Sequence, residues 1–207
     1  MDRMDTISKR GATRGGGILG VMLLVAASGL GVSMSGYVNA EDLPPPRQVV
    51  ILLRALAYDG NLKSRAGDTI NIAVIHKKGN SSSEQLANAM VQAFIGRQST
   101  LVNGLPIVVE HVVYDDPSGL KKSIAGSGLD FLYVCEGLEG DIDDIKDVTR
   151  RARVLSVGAR QDYIEKGLSL GVFQNDGKST ILINLQATRL EGVSFASDLL
   201  GLANVIR

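Results

Sequence analysis

The chain has 207 residues and no net formal charge, with 22 Lys plus Arg against 22 Asp plus Glu, a balance that argues against a strongly basic nucleic-acid binder. At 44% apolar and 21% charged residues it has enough hydrophobic material to fold and too little charge to stay disordered. A 4% aromatic content without Trp leaves little to stack on bases or sugars, and a single Cys excludes an internal disulfide and a multi-thiolate metal site.

Residues 1–17 are polar and carry Arg3, Lys9, Arg10 and Arg14 against Asp2 and Asp5. An uncharged run rich in Leu, Val, Met and Ala follows from Ile18 to Val32, broken by Ser28, Gly29 and Gly31. It is short beside the roughly 20 apolar residues of a spanning helix. Val38-Asn39-Ala40, just ahead of Glu41, has the shape of a cleavage site. This order predicts a signal peptide over 1–40, export to the periplasm and a mature domain over 41–207; an uncleaved anchor is the alternative. No Cys follows the apolar run, as a lipoprotein would require, and Lys9-Arg10 is not a twin-Arg signal. Cleavage leaves 167 residues, the size of one domain, with 18 basic against 20 acidic side chains.

Pro44-Pro45-Pro46 predicts a stiff, extended lead-in, and a helix follows from Arg47, where Val49, Leu52, Leu53 and Leu56 recur at helical spacing. Asp59-Gly60 stops it. Thr69 to Ile75 is rich in β-branched residues and apolar on both faces, as an interior parallel strand is. Ser81-Ser82-Ser83-Glu84 fits a capping box with Ser81 as the N-cap, opening a helix that Gly96 closes. Ile107 to Val113 reads as an edge strand because Glu110 and His111 interrupt it. Asp116-Pro117 caps a short helix that Gly126 can end. Phe131 to Cys135 predicts a central strand.

Asp141 starts a further helix, acidic at Asp143 and Asp144 and basic at Arg150, Arg151 and Arg153, a polarity that matches the helix dipole. Val154 to Val157 is a short fourth strand. Between Leu168 and Leu185 a hairpin turns at Asp176-Gly177, the residues a turn with positive φ demands. Ser197 caps a last helix with Leu199, Leu202, Ala203 and Ile206 on one stripe, and Leu200 and Val205 lie off it. A helix apolar on more than one side is buried or meets a partner, so Leu200 and Val205 are candidate partner contacts. The whole predicts a three-layer α/β domain: a mixed, mainly parallel sheet, helices on both faces, and an antiparallel hairpin plus helix at the carboxyl end.

Little in the chain marks chemistry. Gly79-Asn80-Ser81-Ser82-Ser83 joins a strand to a helix amino terminus, where free amides favour an anion, and should lie outside the carboxyl ends of the strands. Glu136 to Gly140 belongs on the same rim, so Asn80, Ser81, Ser82, Ser83 and Gly137 are candidate ligand contacts, with a plain capped turn as the simpler account. Asp141, Asp143, Asp144 and Asp147 lack the mid-loop Gly and distal Glu of an EF-hand. His76, His111 and Cys135 could gather zinc at a sheet edge, but a solvated His, an edge-strand His and a buried thiol account for them more simply. No nucleophile elbow is present, so no catalytic residue, metal or cofactor is expected.

The last third carries a resemblance. Val154-Leu155-Ser156-Val157-Gly158, Tyr163-Ile164, Gly167, Ile183-Asn184-Leu185, Ala187, Gly192-Val193-Ser194 and Ser197-Asp198-Leu199-Leu200-Gly201-Leu202-Ala203 together resemble the carboxyl-terminal signature of the YfiR-like family of bacterial periplasmic proteins. Upstream the agreement is in layout only. The resemblance implies a non-enzymatic periplasmic repressor of an inner-membrane diguanylate cyclase or sensor kinase, bound through its sensory domain, that links envelope signals to cyclic-di-GMP and biofilm formation. A homodimer is left open, and a periplasmic small-ligand-binding protein is the alternative. Family members commonly carry cysteine pairs as redox switches; Cys135 has no second Cys to pair with in this chain. Asn184, polar in an apolar strand, is expected to hydrogen-bond a neighbouring turn.

Overall fold

The structure is a computed structural model that describes residues 43–207. The expected signal peptide and its cleavage site lie outside the described residues. In chain order the elements are α1 (Pro45–Leu56), α2 (Leu62–Ala66), β1 (Ile70–Lys77), α3 (Ser81–Ile95), β2 (Ile107–Tyr114), α4 (Pro117–Ser127) and β3 (Phe131–Val134). They continue with α5 (Ile142–Ala152), β4 (Leu155–Gly158), α6 (Gln161–Glu165), β5 (Leu170–Asn175), β6 (Lys178–Asn184), α7 (Leu185–Leu190), α8 (Ser197–Leu202) and β7 (Asn204–Ile206).

The strands form one sheet in the order β2-β1-β3-β4-β5-β6-β7. Strands β1 to β5 run parallel, β6 is antiparallel to β5, and β7 is parallel to β6. Each parallel step is made through a helix. The hairpin step needs only Asp176 and Gly177, at φ 49° and 73°, as a tight turn between twisted strands requires. From β1 the chain moves outward to β2 and then returns to place β3 on the other flank of β1. That reversal is where open α/β sheets leave a crevice at the carboxyl ends of their strands.

Alternation along the strands divides the core. Ile72 and Val74 face one cluster with Leu52, Leu56, Met90, Phe94 and Leu199, so α1, α3 and α8 cover that side. Ala73 and Ile75 face the other, with Leu120, Ile145 and Ile164 from α4, α5 and α6. The domain therefore has the expected three layers. At the opposite end of the sheet, the carboxylate of buried Asp59 accepts from the amides of Asn61 and Ser194 and pairs with Arg65 at 2.9 Å. Arg65 in turn donates to the carbonyls of Asp130 and Arg153, tying the amino-terminal ends of β3 and β4 together.

Four local expectations are corrected. Helix α1 begins at Pro45, two residues ahead of Arg47, because a proline in the first turn lacks only an N–H that would have no intrahelical partner. The N-cap of α3 is Asn80, whose side chain accepts from the Ser83 amide, and Ser81 is already helical. Gly126 lies within α4, which ends at Gly128 in the left-handed conformation, φ 57°. The terminal helix stops at Leu202, with Ala196 as its N-cap, and Val205 belongs to β7, opposite Ile183. An Asn-Val-Ile tail gains more from pairing with the edge of β6 than from another helical turn, so tertiary pairing overrides the helical spacing.

Candidate functional site

The loops after β1 and β3 meet at the carboxyl rim, and the polar groups of the first loop are largely engaged within the protein. The Asn80 side-chain carbonyl accepts from the Ser83 amide at 3.1 Å and the Ser82 hydroxyl at 2.9 Å. Ser83 is buried; its hydroxyl accepts from the Lys77 amide at 3.0 Å and donates to the Glu136 carbonyl at 2.5 Å. Lys77 reaches across to Asp141, 2.7 Å away. Gly137 has φ 85°, and a Cβ there would stand 2.6 Å from Asn80 Nδ2. Asn80, Ser83 and Gly137 are thus in one contact group, and Ser81 and Ser82 are exposed beside it.

Further along the same rim opens a cleft of about 650 Å³, between the start of α1, the body of α3, the start of α6 and the ends of β3 and β5. Its floor is a relay of neutral groups. Tyr133 Oη donates to Gln48 Oε1 at 2.7 Å, and Gln48 Nε2 donates to the Val172 carbonyl at 3.0 Å. Leu86 and Phe173 supply apolar wall, while Glu136, Arg160 and Gln174 bring polar groups. Arg160 Nε lies 2.9 Å from Asp162 and 3.5 Å from Glu139, and the hydrogen bond it donates to Asp162 raises its pKa. Tyr163 Oη accepts from the Leu138 amide at 3.0 Å and fixes α6 against the loop after β3; burial pushes its hydroxyl pKa up. This is a concave site in which polar and charged side chains, Glu136, Arg160, Asp162 and Gln174 among them, share the lining with apolar wall, so it is more polar than the usual small-molecule pocket and suits a polar ligand.

Sequence reasoning located the rim and missed most of the cleft. Gln48 shares the buried stripe of α1 with Leu52 and Ala55, and a lone amide among buried aliphatics was the one available signal. Tyr133, Arg160 and Gln174 have no local pattern that separates them from core or surface residues.

The other candidates resolve differently. His76 is buried, not solvated as expected, because it turns onto His111: Nε2 of His111 lies 2.7 Å from Nδ1 of His76, with ring centroids 4.6 Å apart. Desolvation lowers the His111 pKa, the charge of His76 adds to this, and Glu84 opposes it. Cys135 is fully buried, and burial pushes its thiol pKa well up. Among the described residues no three His, Cys, Asp or Glu side chains stand close enough to share a metal ion. Asp143 pairs with Lys146 and Asp147 faces Arg151 at 3.9 Å. Asn184, half-buried at the end of β6, caps α7 through the Ala187 amide at 3.0 Å and donates to the Ile164 carbonyl at 3.1 Å, so its amide finds partners in the neighbouring turns as expected.

A second polar cluster was not anticipated. Glu191 is wholly buried, shares a hydrogen bond with the Thr149 hydroxyl and accepts from the Ser156 amide and the Ser169 hydroxyl, which gathers α5, β4, the start of β5 and the end of α7 around one carboxyl group. At the carboxyl-terminal edge, Leu200 packs partly on the core, Val205 is half-buried in β7, and Leu202 between them is 77% exposed.

No curated protein matches the chain. Among solved structures it is similar to a conserved domain protein from Vibrio cholerae O1 biovar El Tor, with a TM-score of 0.56 and 15% identity over 80% of this chain and 61% of that one. It is also similar to an ABC domain in complex with L-Trp from Streptococcus pneumonia, with a TM-score of 0.55 and 11% identity over 79% of this chain and 62% of that one. The chain thus spans about three fifths of each of these proteins, and at such identities the likeness shows the fold alone. No described helix is long and apolar enough to cross a membrane. The sequence between residues 52 and 204 matches the model of the YfiR/HmsC-like family, so the resemblance extends well upstream of Val154, and the chain belongs to that family.

Proposed function

We propose that the protein is a non-enzymatic periplasmic regulator, exported with cleavage after Ala40, that restrains an inner-membrane diguanylate cyclase or sensor kinase by binding its periplasmic sensory domain. The family match over residues 52–204 carries this reading, since membership supports a periplasmic regulatory role in general. Such a protein acts by preferring one state of its target, and it can shift the target only by that difference in affinity. The contact surface under this reading is the carboxyl-terminal edge around Leu200 and Val205, where Leu202 presents an apolar side chain to solvent. Envelope signals would reach cyclic-di-GMP and biofilm formation through that contact.

The test is a deletion strain complemented with wild-type protein, Leu202→Asp or Val205→Asp. Wild type should lower cyclic-di-GMP and co-purify with the membrane fraction, and the variants should fold yet do neither. Unchanged cyclic-di-GMP on deletion, together with no change in kinase output, would overturn the reading. Mass spectrometry of the periplasmic protein should find Glu41 first; full-length chain in the cytosol would count against export.

The cleft favours a second reading, a periplasmic protein for a small ligand. The carboxylate of Glu136 and the amide of Gln174 would orient the ligand, and the Asn80 to Ser83 loop with Gly137 would shape the Glu136 end of the rim. A thermal-shift screen of small polar metabolites should give hits that Glu136→Gln and Gln174→Ala both abolish; hits indifferent to both place the ligand elsewhere.

A further inference from the structure

A second concavity lies away from the rim, between α4 and α5 on the outer layer, and encloses about 360 Å³. Its floor is Ile124, Leu129 and Val148, and Ala125 forms part of a wall. The helices stay apart here for a local reason. The last turn of α4 runs Ala125-Gly126-Ser127 into left-handed Gly128, so it has no large side chain with which to close on α5.

The mouth carries one basic residue from each helix, Lys121 and Arg151, and no carboxylate lines the groove. Lys121 makes no ion pair with a carboxylate among the described residues. Arg151 has a single long contact, 3.9 Å from Asp147, with both side chains largely exposed, which holds the guanidinium only weakly. An apolar trough with two cations at its mouth, one without an ion pair and one only weakly held, complements a molecule with one apolar tail and one anionic head. Lys and Arg stems also extend the apolar surface while keeping their charged ends in water. The volume is near the lower end for small-molecule pockets, which suits a single chain better than two.

We propose that the α4–α5 groove binds a single-chain anionic amphiphile of the fatty-acid class, with the tail over Ile124, Leu129 and Val148 and the carboxylate between Lys121 and Arg151. The site is separate from the rim cleft and from the carboxyl-terminal edge, so it stands whether or not the proposed regulatory role does.

The probe is cis-parinaric acid, titrated into the purified protein below the concentration at which it forms micelles. A saturable rise in fluorescence at one site per chain is expected, displaced by palmitate and at least tenfold less well by hexadecanol, which has the same chain length and no charge. Lys121→Glu with Arg151→Glu should weaken binding at least tenfold, and Ala125→Trp should abolish it by filling the trough. The paired charge reversals sit on exposed side chains; Arg151→Glu gives up the dipole match of α5 and faces Asp147, so a melting temperature lowered by a few degrees with the fold kept is expected, and the proposal remains open to refutation if Ala125→Trp fails to fold. No saturable binding, equal binding by the charge-reversed protein, or equal displacement by hexadecanol would each overturn it. So would binding only to phosphatidylglycerol vesicles, which would mark a membrane surface site instead.

Discussion

The Thr149 hydroxyl stands 2.8 Å from Glu191 Oε1 and 3.1 Å from the Lys146 carbonyl, with one proton to serve two acceptors. A proton on Glu191 Oε1 resolves the conflict, because the acid can donate to Thr149 while Thr149 donates to Lys146. Glu191 Oε2 meanwhile accepts from the Ser156 amide at 2.8 Å and from Ser169. Burial favours the same neutral form and raises the Glu191 pKa against the pull of these hydrogen bonds.

Glu191→Ala is therefore expected to cost about 3 kcal/mol, because it leaves several buried donors unpaired, while Glu191→Gln keeps a neutral acceptor and loses less. The raised folded-state pKa makes stability fully present below the unfolded glutamate value and lost as pH rises through the folded value. Urea melts from pH 4 upward should show wild type losing stability relative to Glu191→Gln as pH rises. A difference that is flat with pH would show that the buried group does not titrate.

His76 and His111 hold one proton between their facing nitrogens, so a second proton there breaks the bond. Desolvation and the neighbouring ring both favour neutral His111, with Glu84 opposing. Its contribution to stability is present above the ordinary imidazole pKa and lost as pH falls through the lowered folded value. NMR titration should place His111 below the free imidazole value of about 6.5. His76→Ala should move it upward, and a His111 that titrates unchanged in that variant would remove the coupling.

Cys135 should be inert. Full burial keeps the thiol protonated, and the Glu136 charge adds to that. Native protein is expected to resist a thiol reagent at pH 8 and to react only in denaturant, with a melting temperature indifferent to mild reductant. Rapid labelling of folded protein would mean that the end of β3 opens.

At the rim, Gly137→Ala must place a Cβ against Asn80 Nδ2 in a backbone conformation that L residues rarely adopt. Strain of this kind costs roughly 2 kcal/mol. Since Asn80 caps α3, amide exchange at Ser83 should accelerate together with the global loss. Wild-type stability in this variant would show that the two rim loops are not packed together as described.

Elements whose signal is local were legible from the chain itself. The both-sided apolar character of β1 and β3, the Asp116-Pro117 start of α4 and the Asp176-Gly177 turn each depend on residues within a few positions of one another, and each stands where expected. The order of helices and strands was enough to predict three layers, because a half-apolar sheet and amphipathic helices have few ways to bury their faces. Tertiary structure decided what local spacing could not. Ile206 kept helical spacing with Leu199 and Leu202, yet the free edge of β6 drew Asn204–Ile206 into a strand. Gln48 and Val172 are 124 residues apart and Thr149 and Glu191 are 42 apart, so the cleft floor and the buried carboxyl exist only once the layers have closed. A buried polar group takes whatever partner the packed chain brings to it, and no periodicity in sequence records that partner in advance.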